Sequence, residues 1–200
     1  MQRKHAGTLG GITLATFLAA AGTAAAQTAP VGPLPPTPSV EQRLADQERR
    51  IGAGLKNGSL TAGEAARLQR EESSLNREWA RDKADGMITP QEQARMNRDL
   101  NRASRDVSRE RHDAQTANPN NPFNQRLGNQ ANRIANGIQD GSLTNREAAR
   151  LERGESRIAG EEARFRRDGN LSPRERGKLN RDLNRESRRI YRDRHNGQHR

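Results

Sequence analysis

Four short stretches of this 200-residue chain place acidic residues at spacings that suit a hard divalent cation. They are Asn57-Gly58-Ser59-Leu60-Thr61 through Glu64, Asp85-Gly86-Met87-Ile88-Thr89 through Glu92, Asp140-Gly141-Ser142-Leu143-Thr144 through Glu147, and Asp168-Gly169-Asn170-Leu171-Ser172 through Glu175. A calcium loop of the EF-hand type puts glycine at position 6, an aliphatic residue at 8 and a bidentate glutamate at 12. Gly86, Ile88 and Glu92 fit that spacing, and so do the other three sets. On this reading Asp85, Glu92, Asp140, Glu147, Asp168 and Glu175 are the metal ligands. The entry positions 1 and 3 argue the other way. They hold Ala53 and Leu55, Arg81 and Lys83, Asn136 and Ile138, and Arg164 and Arg166, and a cation there repels calcium. The same formula also reads as helix punctuation. Glycine ends one helix, the aliphatic residue staples the turn, and Thr or Ser with a glutamate three residues later forms a capping box. Pro90 and Pro173 then stand at the first helical position, where proline is favoured. The expectation is no cofactor, or at most a weakly held divalent metal.

Anion chemistry is the second candidate. The segment Arg174 to Arg194 carries nine basic and four acidic residues, and Arg181, Arg185, Arg188, Arg189 and Arg192 are the candidate anion-binding side chains. Charge is uneven along the chain. Val40 to Ala117 has 15 basic and 14 acidic residues, whereas Phe123 to the end has 19 and 11. A basic second half implies an anionic polymer, lipid headgroups or an acidic protein as partner. Nucleic acid is disfavoured because stacking aromatics are almost absent. Of the four histidines, His112 and His195 occupy equivalent places near helix ends, where a cation is favourable; His195 with His199 would make only a thin transition-metal site. The chain has no cysteine. It also lacks a nucleophile elbow, a P-loop or a dinucleotide fingerprint. Its remaining acids read as partners of arginine along charged helix faces. The expectation is a protein that is not an enzyme.

The elements that carry these residues follow from a duplication. Arg43-Leu44 and Arg126-Leu127 open two copies offset by 83 residues, and the match runs through Asn97–Arg102 against Asn180–Arg185 to His112 against His195. Each copy reads as three helices, roughly 40–56, 62–84 and 90–113, then 123–139, 145–167 and 173–195. Leu127, Ala131, Ile134 and Ile138 step by four, three and four, as do Met96, Leu100, Ala103 and Val107, which is a narrow seam of coiled-coil type. The middle helices are sparser, with Leu68, Leu75 and Trp79, or Leu151, Ile158 and Phe165. Hydrophobic residues make up 30% of the chain, too few for a large globular core. The fold class expected is all-α: two tandem copies of an elongated three-helix unit, built as helical hairpins with EF-hand-like turns. Residues 1–26 read as a signal peptide, from cationic Arg3 and Lys4 to Ala24-x-Ala26 before the cleavage point. Residues 27–39 form a proline-rich linker, 40–115 the first repeat, 116–122 an Asn/Pro linker, 123–196 the second repeat and 197–200 a tail. The expected location is periplasmic or secreted, with no membrane span once the signal is removed.

Leu60-Thr61-x-x-Glu64, Ile88-Thr89-x-x-Glu92, Leu143-Thr144-x-x-Glu147 and Leu171-Ser172-x-x-Glu175 resemble the helix starts of periplasmic stress proteins of the Spy/CpxP kind. Glutamate stands in all four where that family has mostly glutamine. The mature chain also resembles exported proteobacterial helical proteins that repeat a D-G-x-L-T-x-x-E turn. The resemblance implies an envelope protein that holds unfolded or acidic clients on a basic concave face. Three functions are therefore expected in order: a non-catalytic, chaperone-like binding protein linked to stress; a divalent-metal binder or sensor; and a binder of anionic polymer or membrane surface through the second repeat.

Overall fold

The computed structural model describes residues 38–198. The fold is all-α. Its helices are α1 (Val40–Asn57), α2 (Ala62–Asp82), α3 (Pro90–Arg111), α4 (Pro122–Asp140), α5 (Asn145–Phe165) and α6 (Pro173–Arg194), with a 3₁₀ turn at Arg166–Asp168 after α5. The expected signal peptide, all but the last two residues of the proline-rich linker, and His199 lie outside the described residues.

Local chemistry sets the helix ends. Thr61, Thr89, Thr144 and Ser172 each accept from the backbone N–H of the glutamate three residues on, and that glutamate reaches back to the cap's own N–H. Ser39 and Gln42 make a fifth box at the start of α1. Gly58 and Gly141 then close α1 and α4 at φ of 79° and 78°, a conformation that glycine adopts without steric cost. Leu60 N–H donates to the Gly54 carbonyl at 3.0 Å, and Leu143 N–H to Gly137 at 2.9 Å.

Within each copy the first helix hooks onto the third through the polar residues the copies share. Arg43 donates to Asn97 at 3.2 Å and to Asn101 at 2.6 Å; Arg126 donates to Asn180 at 2.9 Å and to Asn184 at 2.6 Å. Gln47 donates to the Leu100 carbonyl, and Gln130 to that of Leu183, both at 2.8 Å. Arg50 and Arg133 reach Ser104 and Ser187 in the same way, again at 2.8 Å. Beneath these bonds the seam residues Met96, Leu100, Ala103, Val107, Leu127, Ala131, Ile134 and Ile138 are buried.

The two copies do not sit side by side as separate units. The described residues form one compact body. Gln125 donates to the Lys56 carbonyl at 2.8 Å while Arg49 lies 3.4 Å from Asn136, so α1 and α4 run antiparallel. The α2–α5 pair shows why the arrangement is symmetric. Ser73 Oγ donates to the Ala149 carbonyl at 2.9 Å, and Ser156 Oγ donates to the Ala66 carbonyl at 2.8 Å. Each bond is the image of the other under the 83-residue offset, as across an isologous dimer interface. Both apolar clusters mix the copies: Leu44, Leu75 and Leu100 pack with Ile134, Leu151 and Ile190, and Ile51, Leu60 and Val107 with Leu127, Ile158 and Leu183. A core too thin for one copy is thus made by pooling two.

The pooling depends on close backbone approach. A Cβ at Gly128 would lie 2.6 Å from the Gly52 carbonyl oxygen, and one at Gly52 would lie 2.9 Å from that of Gly128. Gly128→Ala is expected to force α1 and α4 apart and cost about 1–3 kcal/mol, the range for an overpacked core. Chemical denaturation reads this directly, and an unchanged midpoint would show that the helices are not this close.

Candidate functional site: an arginine-lined groove

Helix α5 carries arginine at 150, 153, 157 and 164, steps of three, four and seven that place all four on one face. The antiparallel neighbour α2 contributes Arg70 and Arg77, and α6 contributes Arg189 and Arg192. Together they line an open groove of about 1130 Å³, with Ser74, Ser156 and Gly160 among its other lining residues. Eight arginines face two acids, Glu161 and Asp193. The groove is open beside Gly160, where an added Cβ would meet only Ala66, at 3.9 Å.

The arginines are unequally engaged. Arg70 donates to Ser156 at 3.3 Å, and Arg77 to Ser73 and Ser74 at 2.8 and 2.9 Å. Arg189 pairs with Glu186 at 2.9 Å, while Arg164 and Arg192 have acids only at 3.8 and 3.9 Å. Arg153 and Arg157 take part in none of the ion pairs among the described residues and are exposed. Guanidinium groups so placed offer planar, two-pronged donation to phosphate, sulfate or carboxylate.

Behind the groove lies a buried acid layer. Glu48, Glu72, Glu152 and Glu155 are all fully buried, and Glu72 and Glu155 have no hydrogen-bond partner on either oxygen. Asn76 donates to Glu152 at 2.8 Å, and Gln69 to Glu48 at 3.4 Å. Burial pushes the Glu48 carboxyl up to about 7, against the pull of Gln69. Burial also drives Glu72, Glu152 and Glu155 well above the usual carboxylate range, reinforced by their acidic neighbours. Of these four acids it is Glu152 on which groove arginines act: the charges of Arg77 and Arg153 oppose the rise of its carboxyl, and burial outweighs them. The sequence reading of the acids as arginine partners along charged helix faces does not hold for these four: Glu72, Glu152 and Glu155 turn inward where α2 and α5 cover each other, and Glu48 joins them from α1.

No family model, curated protein or solved structure matches the chain.

The residues singled out from sequence divide as follows. Arg189 and Arg192 line the groove, and Arg185 joins Arg189 in a smaller recess of about 240 Å³ beside it. Arg181 and Arg188 are exposed and line neither. The contributions of α2 and α5 were missed, although the three-four spacing of arginine on α5 was there to be read.

The six acids of the turns are engaged in local structure. Asp85, Asp140 and Asp168 accept from the backbone N–H two residues on, at 3.0, 2.9 and 3.2 Å. Glu92, Glu147 and Glu175 accept from their cap N–H groups at 2.8, 2.9 and 2.8 Å. Burial pushes the Glu147 carboxyl up, but hydrogen bonds from Thr144 and Asn196 outweigh it and hold it below the usual range. At Asp140 burial is likewise outweighed, by Ser142 and Arg194. None of the six belongs to a trio of acids with converging oxygens among the described residues. His112 and His195 turn Nδ1 onto the carbonyls of Ser108 and Tyr191, at 2.7 and 2.6 Å, so they close α3 and α6.

Proposed function

We propose that this protein is a non-catalytic binder of polyanions in the cell envelope, gripping phosphate, sulfate or carboxylate groups in the arginine groove of α2, α5 and α6. The observation that carries the reading is the eight-to-two excess of arginine over acid in one open groove, with Arg153 and Arg157 in none of the ion pairs among the described residues. The envelope location rests on the signal-like first 26 residues. A groove rather than a flat face suits an extended chain of anionic groups, and charge focused in a concave site raises local anion concentration and association rate. The holding of apolar, unfolding clients draws less support. Among the described residues the exposed large apolar side chains are Met87 and Tyr191, which make no broad patch.

Titration of the full chain with polyphosphate and with a sulfated polysaccharide tests the proposal. Saturable binding that weakens steeply as salt rises is expected. Absence of binding by either polymer at low ionic strength would refute it.

A further inference from the structure

The two copies differ at one end in a way that the groove does not use. In the second copy Glu147 spends Oε2 on its cap and receives the side-chain amide of Asn196 on Oε1 at 2.7 Å. Asp193 stands nearby, one helical turn before Asn196. Both of these second-copy positions are acidic in the first copy, where Glu110 replaces Asp193 and Asp113 replaces Asn196. Glu64, the counterpart of Glu147, keeps its cap bond from the Thr61 N–H at 2.8 Å. Its Oε1 is buried, in a side chain 1% exposed, and has no hydrogen-bond partner. The amide donor that satisfies this oxygen in one copy is a carboxylate in the other.

From this we infer that Glu64, Glu110 and Asp113 form a binding site for a hard divalent cation of the calcium class. One oxygen from each of the three lies within 4.8 Å of the others. That separation suits ligands held at about 2.3–2.6 Å from a common ion. Each carboxylate has one oxygen already engaged: Glu64 with its cap, Glu110 with Arg67 at 2.8 Å, and Asp113 with the Gln115 N–H at 2.8 Å. Glu64 Oε1 is the oxygen without a partner that an ion would satisfy. Arg67 tempers the charge but leaves three carboxylates against one guanidinium. A lone buried carboxylate oxygen is costly, and a cation supplies what Asn196 supplies in the other copy. Exposure of Asp113 gives the ion a route in. The site lies where α3 ends against the start of α2, so occupancy would tie the 112–121 connection to the first copy.

Calorimetric titration of the full chain with calcium chloride, paired with thermal unfolding, is the test. One ion per chain is expected, at a dissociation constant of about 10⁻⁴–10⁻³ M, the range of weak oxygen-ligand sites. Asp113→Asn is expected to abolish the binding while keeping or raising the unfolding midpoint without metal, because it restores the amide donor. Asn196→Asp is expected to add a second site at Glu147 and Asp193. A flat calcium titration of the native chain would overturn the inference, and so would binding that Asp113→Asn leaves intact. The outcome is independent of polyanion binding, which uses none of these three residues.

Discussion

Raising the pH from 5 to 9 is expected to destabilise this protein progressively, and Glu72→Gln is expected to remove part of that loss. Glu48, Glu72, Glu152 and Glu155 titrate near the ordinary value of 4.5 in the unfolded chain but hold their protons to higher pH when folded. The folded state therefore binds more protons than the unfolded state between those limits. Stability is complete below about 4.5 and falls as pH rises through the folded values. For Glu48 the climb from 4.5 to about 7 corresponds to on the order of 3 kcal/mol. That is a large share of the 5–15 kcal/mol typical of a whole domain. The charges facing the layer are too few to reverse the sign. Arg50 opposes the rise at Glu72, Arg77 and Arg153 at Glu152, and Arg133 and Arg126 at Glu155, yet burial outweighs them all. At the other extreme, Glu147, Asp140 and Glu41 are held below their ordinary values, so the stability they give is lost as pH falls through those values. An optimum in mild acid follows. Glutamine at position 72 keeps the shape and cannot ionise, so the unfolding midpoint at pH 8 should rise, and rise more than at pH 5. A midpoint that stays level from pH 5 to 9 would show that these four carboxyls do not hold their protons on folding.

The caps and the glutamate layer mark the boundary between what was legible in the sequence and what was not. A capping box is a contact between residues three apart, so Thr61 with Glu64 or Ser172 with Glu175 announces a helix start without knowledge of the rest of the fold. The helix ends accordingly fall within about two residues of the sequence reading, and the seams of α3 and α4 are buried as their spacing required. The packing of one copy against the other is a different kind of fact. Gly52 and Gly128 look like indifferent helical glycines until each is seen to admit the other's carbonyl. Glu72 and Glu155 are equivalent under the duplication, and both are buried for the same reason. Periodicity shows which residues share a face but does not say whether that face meets water or its own duplicate. The groove inherits this limit. Arg150, Arg153 and Arg157 declare a basic stripe along α5, but only the antiparallel arrival of α2 and the flank of α6 turn that stripe into a concave site.

Replacing Arg153 and Arg157 together by glutamate is expected to cut polyanion affinity about a hundredfold at low salt. Charge-assisted hydrogen bonds are each worth about 1.5–3 kcal/mol, and 1.4 kcal/mol is a factor of ten. These two residues take part in none of the ion pairs among the described residues, and because their charges also act on Glu152 and Glu186, the unfolding midpoint of the double variant is measured beside its affinity. The control is the pair Arg181→Glu and Arg188→Glu on the outer face of α6, which changes the net charge by the same amount outside the groove. If long-range charge alone drew the ligand, the two double variants would weaken binding equally; if the groove holds it, the control should lose only a few-fold, through the field it shares with the whole molecule. Proton release from the acid layer adds a signature that no surface patch would show. Glu152 lies close enough to Arg77 and Arg153 for their charges to act on it. As Glu152 loses its proton with rising pH, negative charge grows beside Arg77 and Arg153 and affinity should fall, while Glu152→Gln should blunt that fall under conditions where the protein remains folded. Binding that weakens equally in both double variants and ignores pH would move the anion site off the groove and back to the diffuse positive charge of the second copy.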